Sequence, residues 1–401
     1  MARDDGSRQI VRREFLAGAG AASVTVMSRS LVFGSAANSA VALGMIGCGG
    51  RGTWIAPLFL GSGKYRLAAC ADYFAERAAA FGDKYKIEAG RRFSGLSSYK
   101  RLLVGKLDAV AIESPPGFHP EQAAAAVEAG RHVFIAKPVA VDVPGCHAIA
   151  AAGRKATETK RVFLVDFQTR ADPLYREATK RVHRGDIGRL VSAEAHYPWA
   201  GGGPGAPTPT PEDRLRNWYL WLEFCGDVIV EQDIHALDVA TWLIDADPIR
   251  AFGTCGRAIR RHGNISDHFA VTYWFPNDLV LTFSSVKAIP GVRDEIRCKV
   301  FGTEGVIDTD YFGEVSIRGR KPYEGGKTQN LYSTGTVTNI EEFHQCITEG
   351  RCDNPTVAPA VRSNLTSILG RTAAYQKRVV TLDDILKANV KIEMDLKGLK
   401  D

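Results

Sequence analysis

Along the chain, short apolar runs alternate with stretches whose apolar residues recur at helical spacing. Val41-Ala-Leu-Gly-Met-Ile46 is an unbroken run of strand type, and a helical stretch begins near Thr53. Tyr65–Ala71 reads as a second strand and Tyr73–Phe81 as the helix after it. Leu107–Glu113 and His132–Ala136 are further strands with the Ala-rich helix Pro120–Ala129 between them, and Val162–Phe167 completes the set. Runs apolar on both faces, alternating with helices, predict an α/β unit: a doubly wound parallel sheet of the Rossmann kind.

Beyond residue 167 the pattern changes. Leu190–His196, Ile249–Cys255, His268–Phe275, Leu279–Ser285 and Glu295–Phe301 read as strands, with Pro276-Asn277-Asp278 as a turn between two of them. An α+β domain with a large, mainly antiparallel sheet is therefore expected over residues 168–401, after a first domain over 41–167. The C-terminal helix is expected to pack back on that first domain. Gly201–Pro211, rich in Gly and Pro, reads as a loop whose length suggests a lid or a subunit contact.

Composition narrows the picture without redirecting it. A chain of 401 residues, 45% hydrophobic and 24% charged, fits two globular domains. The net charge is +6, and without residues 1–40 it falls to 46 Lys+Arg against 42 Asp+Glu. No basic run interleaves with aromatics, so no nucleic-acid partner is expected. The eight cysteines include no CxxC pair, and no histidine has ligand spacing with a second His or Cys, so neither disulfides nor a metal site are expected.

Residues 1–40 resemble a twin-arginine (Tat) signal peptide. Arg12-Arg13-Glu14-Phe15-Leu16 precedes the small apolar run Ala17–Met27, and Gly34–Ala40 is rich in small residues. The run is too short to span a bilayer. The resemblance implies the Tat export machinery as a partner, a periplasmic or secreted location, and no stable membrane insertion after cleavage. Folding in a reducing cytoplasm before export would account for free thiols.

The first strand runs into Gly47-Cys48-Gly49-Gly50-Arg51-Gly52, a GxGxxG between strand and helix. Gly47 permits the tight turn, Gly49 lets the backbone approach a pyrophosphate, and Gly52 allows close helix–sheet packing. The helix start would offer free N–H groups to the phosphates, beside Gly50 and Arg51. Asp72, closing the second strand, is placed for a ribose 2′-hydroxyl and favours NAD, while Arg77 keeps NADP open. Asp72 could equally cap the following helix. Ser114 and Pro115 sit at the carboxyl edge of their strand, where ligands bind in such sheets.

Acid–base candidates follow in two places. Lys137 ends the strand His132–Ala136, and a lysine desolvated there is a usable proton donor or acceptor. Glu231 and His235 are four apart and would share a helix face, the carboxylate orienting the imidazole. Arg216-Asn217-Trp218-Tyr219 could stack a sugar ring.

In order and spacing, Gly47–Gly52, Asp72, Ser114-Pro115-Pro116…His119, Ala136-Lys137-Pro138, Phe167–Pro173 with Gly185–Gly188, and Glu231…His235…Asp238 resemble the Gfo/Idh/MocA oxidoreductases over nearly the whole chain from about residue 41 to 385. The resemblance implies NAD, tightly bound, and a homo-oligomer, dimer or tetramer. It implies a small carbohydrate as substrate, a sugar or polyol contacted by Arg170, Trp218, His235 and Asp238. His119 and Lys137 join the cofactor contacts, with Lys137 and His235 sharing acid–base work. Two departures stand out: Ala136 replaces the family's usual Glu before the lysine, and Glu231 its commoner Asp. Two alternatives stay open, a redox-neutral NAD-dependent glycoside hydrolase and a non-catalytic dinucleotide-binding protein.

Overall fold

The computed structural model describes residues 40–401; the twin-arginine segment and the apolar run after it lie outside the described residues. The first sheet is built from β1 (Val41–Ile46), β2 (Tyr65–Asp72), β3 (Arg92–Ser94), β4 (Ala109–Ile112), β5 (His132–Ala136) and β6 (Phe163–Asp166). All are parallel, in the order β3-β2-β1-β4-β5-β6. Every residue of β1 and β4 is buried, which is why both read as unbroken apolar runs. Connecting helices are α1 (Gly50–Gly61), α2 (Ala75–Lys84), α3 (Ser98–Val104), α4 (His119–Glu128) and α5 (Val143–Glu158). The strand order reverses between β1 and β4, so a crevice opens at their carboxyl ends.

Two helix starts differ from the expectation, each for a local reason. Gly49 caps α1 and accepts the Thr53 N–H at 2.9 Å, so the helix begins at Gly50. The Asp72 carboxylate accepts the Phe74 N–H at 2.9 Å, holding Tyr73 and Phe74 out of α2, which starts at Ala75. The short strand β3 has no apolar run to announce it.

A crossover of α6 (Gln168–Ala171) and α7 (Pro173–His183) leads to the second sheet. Its strands are β7 (Leu190–Trp199), β8 (Arg250–Gly256), β9 (His268–Trp274), β10 (Val280–Lys287), β11 (Arg297–Gly302), β12 (Gly305–Asp310), β13 (Glu314–Gly319), β14 (Tyr323–Lys327) and β15 (Val380–Thr381). They lie in the order β14-β13-β12-β11-β7-β10-β9-β8-β15. All neighbours are antiparallel except β7 and β10. The five predicted strands form the centre; β12 to β15 are Gly-rich, polar or very short, and sequence periodicity missed them.

Between β7 and β8 lie α8 (Pro211–Arg216), α9 (Leu222–Cys225), α10 (Val228–Glu231) and α11 (Ile234–Ile244). After β14 come α12 (Leu331–Glu349) and α13 (Val357–Gln376), then α14 (Leu382–Ala388). Helix α12 returns to the first sheet, where Ile340 and Phe343 pack with Phe59 and Phe134. Helix α13 lies between the sheets: Val357 and Ala360 join the first core, Ile368 and Leu369 the second. Ahead of α13, Asn354 Oδ1 accepts the Phe163 N–H at 2.7 Å and Thr356 Oγ1 the Val165 N–H at 3.1 Å, so side chains satisfy the open edge of β6.

One charged pair sits inside the second core. Lys287 and Asp233 are wholly buried, Nζ to Oδ1 2.6 Å, with Ser285 donating to Asp233 at 2.7 Å and Tyr197 O accepting from Lys287 at 2.8 Å. Removing one member strands the other without water. Lys287→Met is expected to cost about 3–5 kcal/mol in denaturant unfolding, and Lys287→Met with Asp233→Leu to recover most of it. A single-variant loss under about 0.5 kcal/mol would show that the pair contributes nothing.

Candidate active site

The crevice at the β1/β4 reversal is a cleft of about 970 Å³. Its floor is the Gly47–Arg51 loop, with Asp72 on one side and Glu113, Ser114 and Pro115 on the other. Gly47 has φ +95°, and a Cβ there would fall 2.6 Å from the Glu113 backbone. A Cβ on Gly52 would lie 1.9 Å from the Gly47 carbonyl oxygen, so this glycine sets how closely α1 meets β1. A Cβ on Gly50 would meet nothing within 4 Å, a Cβ on Gly49 would meet only the Arg77 guanidinium at 3.4 Å, and no side chain caps the first N–H groups of α1. These features fit a dinucleotide pyrophosphate.

Asp72 serves the loop as well as the cleft. Its Oδ2 accepts the Cys48 N–H at 2.8 Å, fixing the glycine turn, and burial raises its pKa against those N–H contacts. Ser114 Oγ donates to Gln122 at 2.5 Å. His119 does not line the cleft: it is fully buried, one ring nitrogen 2.8 Å from Pro138 O and the other 2.7 Å from Ser114 O. It ties the Ser114 and Pro138 segments together from the interior and is not part of the cleft lining. Burial lowers its pKa to about 4.

Segments from the second half of the chain roof the cleft. Leu215, Trp218 and Tyr219 line it, and Arg216 stacks on Phe74 at 3.9 Å while pairing with Glu76 at 2.8 Å. Tyr73 donates to Glu212 at 3.0 Å and accepts the Lys400 N–H at 3.1 Å. Met394, Leu396 and Leu399 pack against the same aromatic cluster.

At the inner end of the cleft, three adjacent strand termini carry Glu113, Ala136 and Asp166. Arg51 reaches across them, pairing with Asp166 and lying 3.4 Å from Glu113. Ala136 thus lies between two acids, and Arg51 spans the gap from Glu113 to Asp166. Burial opposes the Arg51 charge, but Asp166 and Glu113 outweigh it and raise its pKa. Glu113 is wholly buried and neither oxygen has a hydrogen-bond donor; burial pushes its pKa up to about 8.

Lys137 follows Ala136 and meets the second half of the chain. Its Nζ donates to the Glu231 carbonyl at 2.5 Å and lies 3.5 Å from the Glu231 carboxylate. An unbroken helix would have given that carbonyl to the His235 N–H. Instead His235 N–H turns to Gln232 O at 3.2 Å, and the chain splits into α10 and α11. The expected Glu231–His235 contact along one helix is consequently absent: the carboxylate serves Lys137, and His235 Nδ1 is buried with no partner. Burial, then Lys137, Arg51 and Lys287, hold the His235 pKa well below its ordinary value, so the imidazole is neutral. Its ring packs edge-on to Phe167 and Tyr311.

Two expected substrate contacts are turned elsewhere. Arg170 forks onto the fully buried Asp238 at 2.9–3.0 Å, and Ser363 donates to the same carboxylate at 2.6 Å. This pair joins α6 to α11, and neither residue lines the cleft. Trp218, by contrast, lines both the cleft and a second cavity of about 770 Å³ containing Glu231, Gln232, Trp199 and Arg260. Glu113, Asp166 and Arg260 were missed from sequence; an acid closing an otherwise apolar strand was the available signal for the first two. Among the described residues no cluster suits a metal, and none of the eight cysteines is in a disulfide.

A glycine loop at the strand-order reversal, an acid closing β2 and a lysine at the strand edge fit a dinucleotide-dependent oxidoreductase. The profile described as oxidoreductase family, NAD-binding Rossmann fold, matches residues 41–167, and the GFO/IDH/MocA C-terminal domain matches residues 175–308. The chain belongs to the Gfo/Idh/MocA family and is an NAD-dependent oxidoreductase. It is 28% identical over 256 residues to scyllo-inositol 2-dehydrogenase (NAD(+)) of Bacillus subtilis, covering 61% of this chain and 69% of that one. Inositol 2-dehydrogenase of Rhizobium meliloti is 23% identical over 346 residues, 84% of this chain and 96% of the relative. The same fold occurs in levoglucosan dehydrogenase in complex with NADH and levoglucosan (TM-score 0.70, 20% identity, 85% of this chain and 99% of that one). It occurs again in aldose-aldose oxidoreductase from Caulobacter crescentus (TM-score 0.69, 21% identity, 85% and 99%).

The buried His119 sets a pH prediction. Its folded pKa, about 4, is below the ordinary 6.5, so in that window the unfolded chain binds more protons and stability falls as pH drops. The full effect is about 3 kcal/mol, complete below pH 4. Denaturant unfolding of wild type and His119→Asn from pH 7.5 to 4.5 should show the variant losing less stability. Taking the difference of the two curves removes the opposite slope from Glu113; parallel curves would contradict the assignment.

Proposed function

We propose that the enzyme oxidises a secondary alcohol of a sugar or polyol, with Lys137 and His235 handling the proton. The observation that carries this reading is Lys137 held on Glu231, with a neutral, unpartnered His235 near enough to feel the charges of Lys137 and of Arg51 in the cleft floor. Bound NAD supplies the hydride acceptor. The Gly47–Arg51 loop and the start of α1 would hold its phosphates, Asp72 its ribose, and Ser114 and Pro115 the far wall.

Removing hydride from a carbinol leaves a proton to be taken from its oxygen. His235, neutral and with a free nitrogen, is suited to accept it. The Lys137 ammonium can donate a hydrogen bond to the oxygen as negative charge grows there, and Glu231 balances the ammonium between turnovers. An imidazolium formed in this buried place faces Lys137, Arg51 and Lys287, so the proton is readily passed on. The relatives' names, inositol dehydrogenases, support net oxidation over the hydrolytic and non-catalytic alternatives.

The roof over the cleft supports a cofactor held through turnover, and the twin-arginine segment supports export with that cofactor loaded. Assembly into a dimer or tetramer belongs to the same proposal. Lys137→Met and His235→Asn are each expected to lower kcat for sugar-dependent NAD reduction by about 10²–10⁴ while bound NAD stays stoichiometric. An unchanged kcat in either variant would remove that residue from the proton path.

A further inference from the structure

The second cavity holds a charge that nothing among the described residues neutralises. Arg260 is 6% exposed, its Nε and Nη1 are sealed from solvent without a hydrogen-bond acceptor, and its guanidinium forms no ion pair among the described residues. Its backbone N–H, not its side chain, goes to Asp267 at 2.8 Å.

The acids around it are already engaged. Asp267 also accepts the N–H groups of Ala258 and Ile259 and pairs with His268. Asp227 takes the Val228 and Ser266 N–H groups and the Tyr375 hydroxyl at 2.5 Å. Asp233 is matched to Lys287 at 2.6 Å. Glu231, the one carboxylate in the cavity wall among the described residues, is turned to Lys137. A buried guanidinium kept without a partner is costly unless a ligand supplies one. The site is built for it: Trp199, Trp218 and Tyr219 give the cavity flat walls suited to a sugar ring, and Glu231 connects it to Lys137.

We propose that the natural substrate is an acidic sugar, an aldonate or uronate, whose carboxylate is bound by Arg260 while its ring lies among Trp199, Trp218 and Tyr219. A planar carboxylate matches the guanidinium fork. A phosphate, with its larger charge, would be repelled by Glu231 in the same wall. The inference rests on the sugar-oxidoreductase reading and specifies its substrate class.

The test uses NAD-loaded enzyme and matched pairs: glucuronate against glucose, galacturonate against galactose, gluconate against glucitol, with glucose 6-phosphate as a further arm. Binding is read by calorimetry and turnover by absorbance at 340 nm. For at least one pair the acid should exceed its neutral partner by about 50-fold in affinity and kcat/KM. Arg260→Gln should collapse that ratio toward one, and Arg260→Lys, which keeps charge but loses the fork, should retain part of it. Should Arg260→Gln fail to fold, the Lys variant and the wild-type ratio still decide.

Equal binding of acids and neutral sugars, a ratio unmoved by the substitutions, or preference for the phosphate would each overturn the proposal. Arg260-dependent binding of an acid without NAD reduction would uphold the anion site and sink the dehydrogenase reading. Turnover of neutral sugars without acid preference would do the reverse.

Discussion

The arrangement of the site depends on one hydrogen bond, from Lys137 Nζ to the main-chain oxygen of Glu231. It removes a carbonyl from a helix, and the helix divides in two at that point. Three consequences follow together. The Glu231 side chain is brought beside the ammonium, His235 is freed from its neighbour on the turn before, and Asp233 is released to meet Lys287 in the core. Two separately built sheets are thereby joined by a strand terminus of one and a helix terminus of the other.

Holding that lysine still requires support from behind. The peptide after it is tied to α13, where Asn364 takes the Val139 N–H at 3.1 Å and donates to Ala140 O at 2.9 Å. Arg371 spans Val141 O and Gly226 O at 2.8 and 2.7 Å, linking the lysine segment to the start of the Glu231 region. His119 grips Pro138 from the other side. These are buried contacts that end on carbonyl oxygens, so they fix the position of the lysine segment.

Much of this is legible in the amino-acid sequence alone. The parallel sheet, the glycine loop and Lys137 all follow from strong local signals, because a fully buried strand must be apolar throughout and a tight phosphate turn must be glycine. What stayed hidden depends on where side chains go once distant segments meet. The four-residue spacing of Glu231 and His235 looked like a helical pair, but a lysine ninety-odd residues earlier in the chain intercepts the helix between them. The resemblance makes Arg170 and Asp238 substrate contacts, yet the structure joins them as a bidentate pair outside the cleft lining. Ala136 looked like a loss; only strand register shows that Glu113 and Asp166 flank it.

The side chains of Asn354 and Thr356 along β6 bear on how the protein behaves in company. A parallel sheet ends in a strand with one row of unsatisfied amides, a natural template for another chain to extend. Here two polar side chains take the places that a seventh strand would fill, and they come from a loop anchored by Asn354 to Thr157 and Arg161. Growth of the sheet at that side is stopped by a plug costing a few residues of chain. At high concentration that edge of the first domain can therefore crowd against other copies without offering them a ladder to climb.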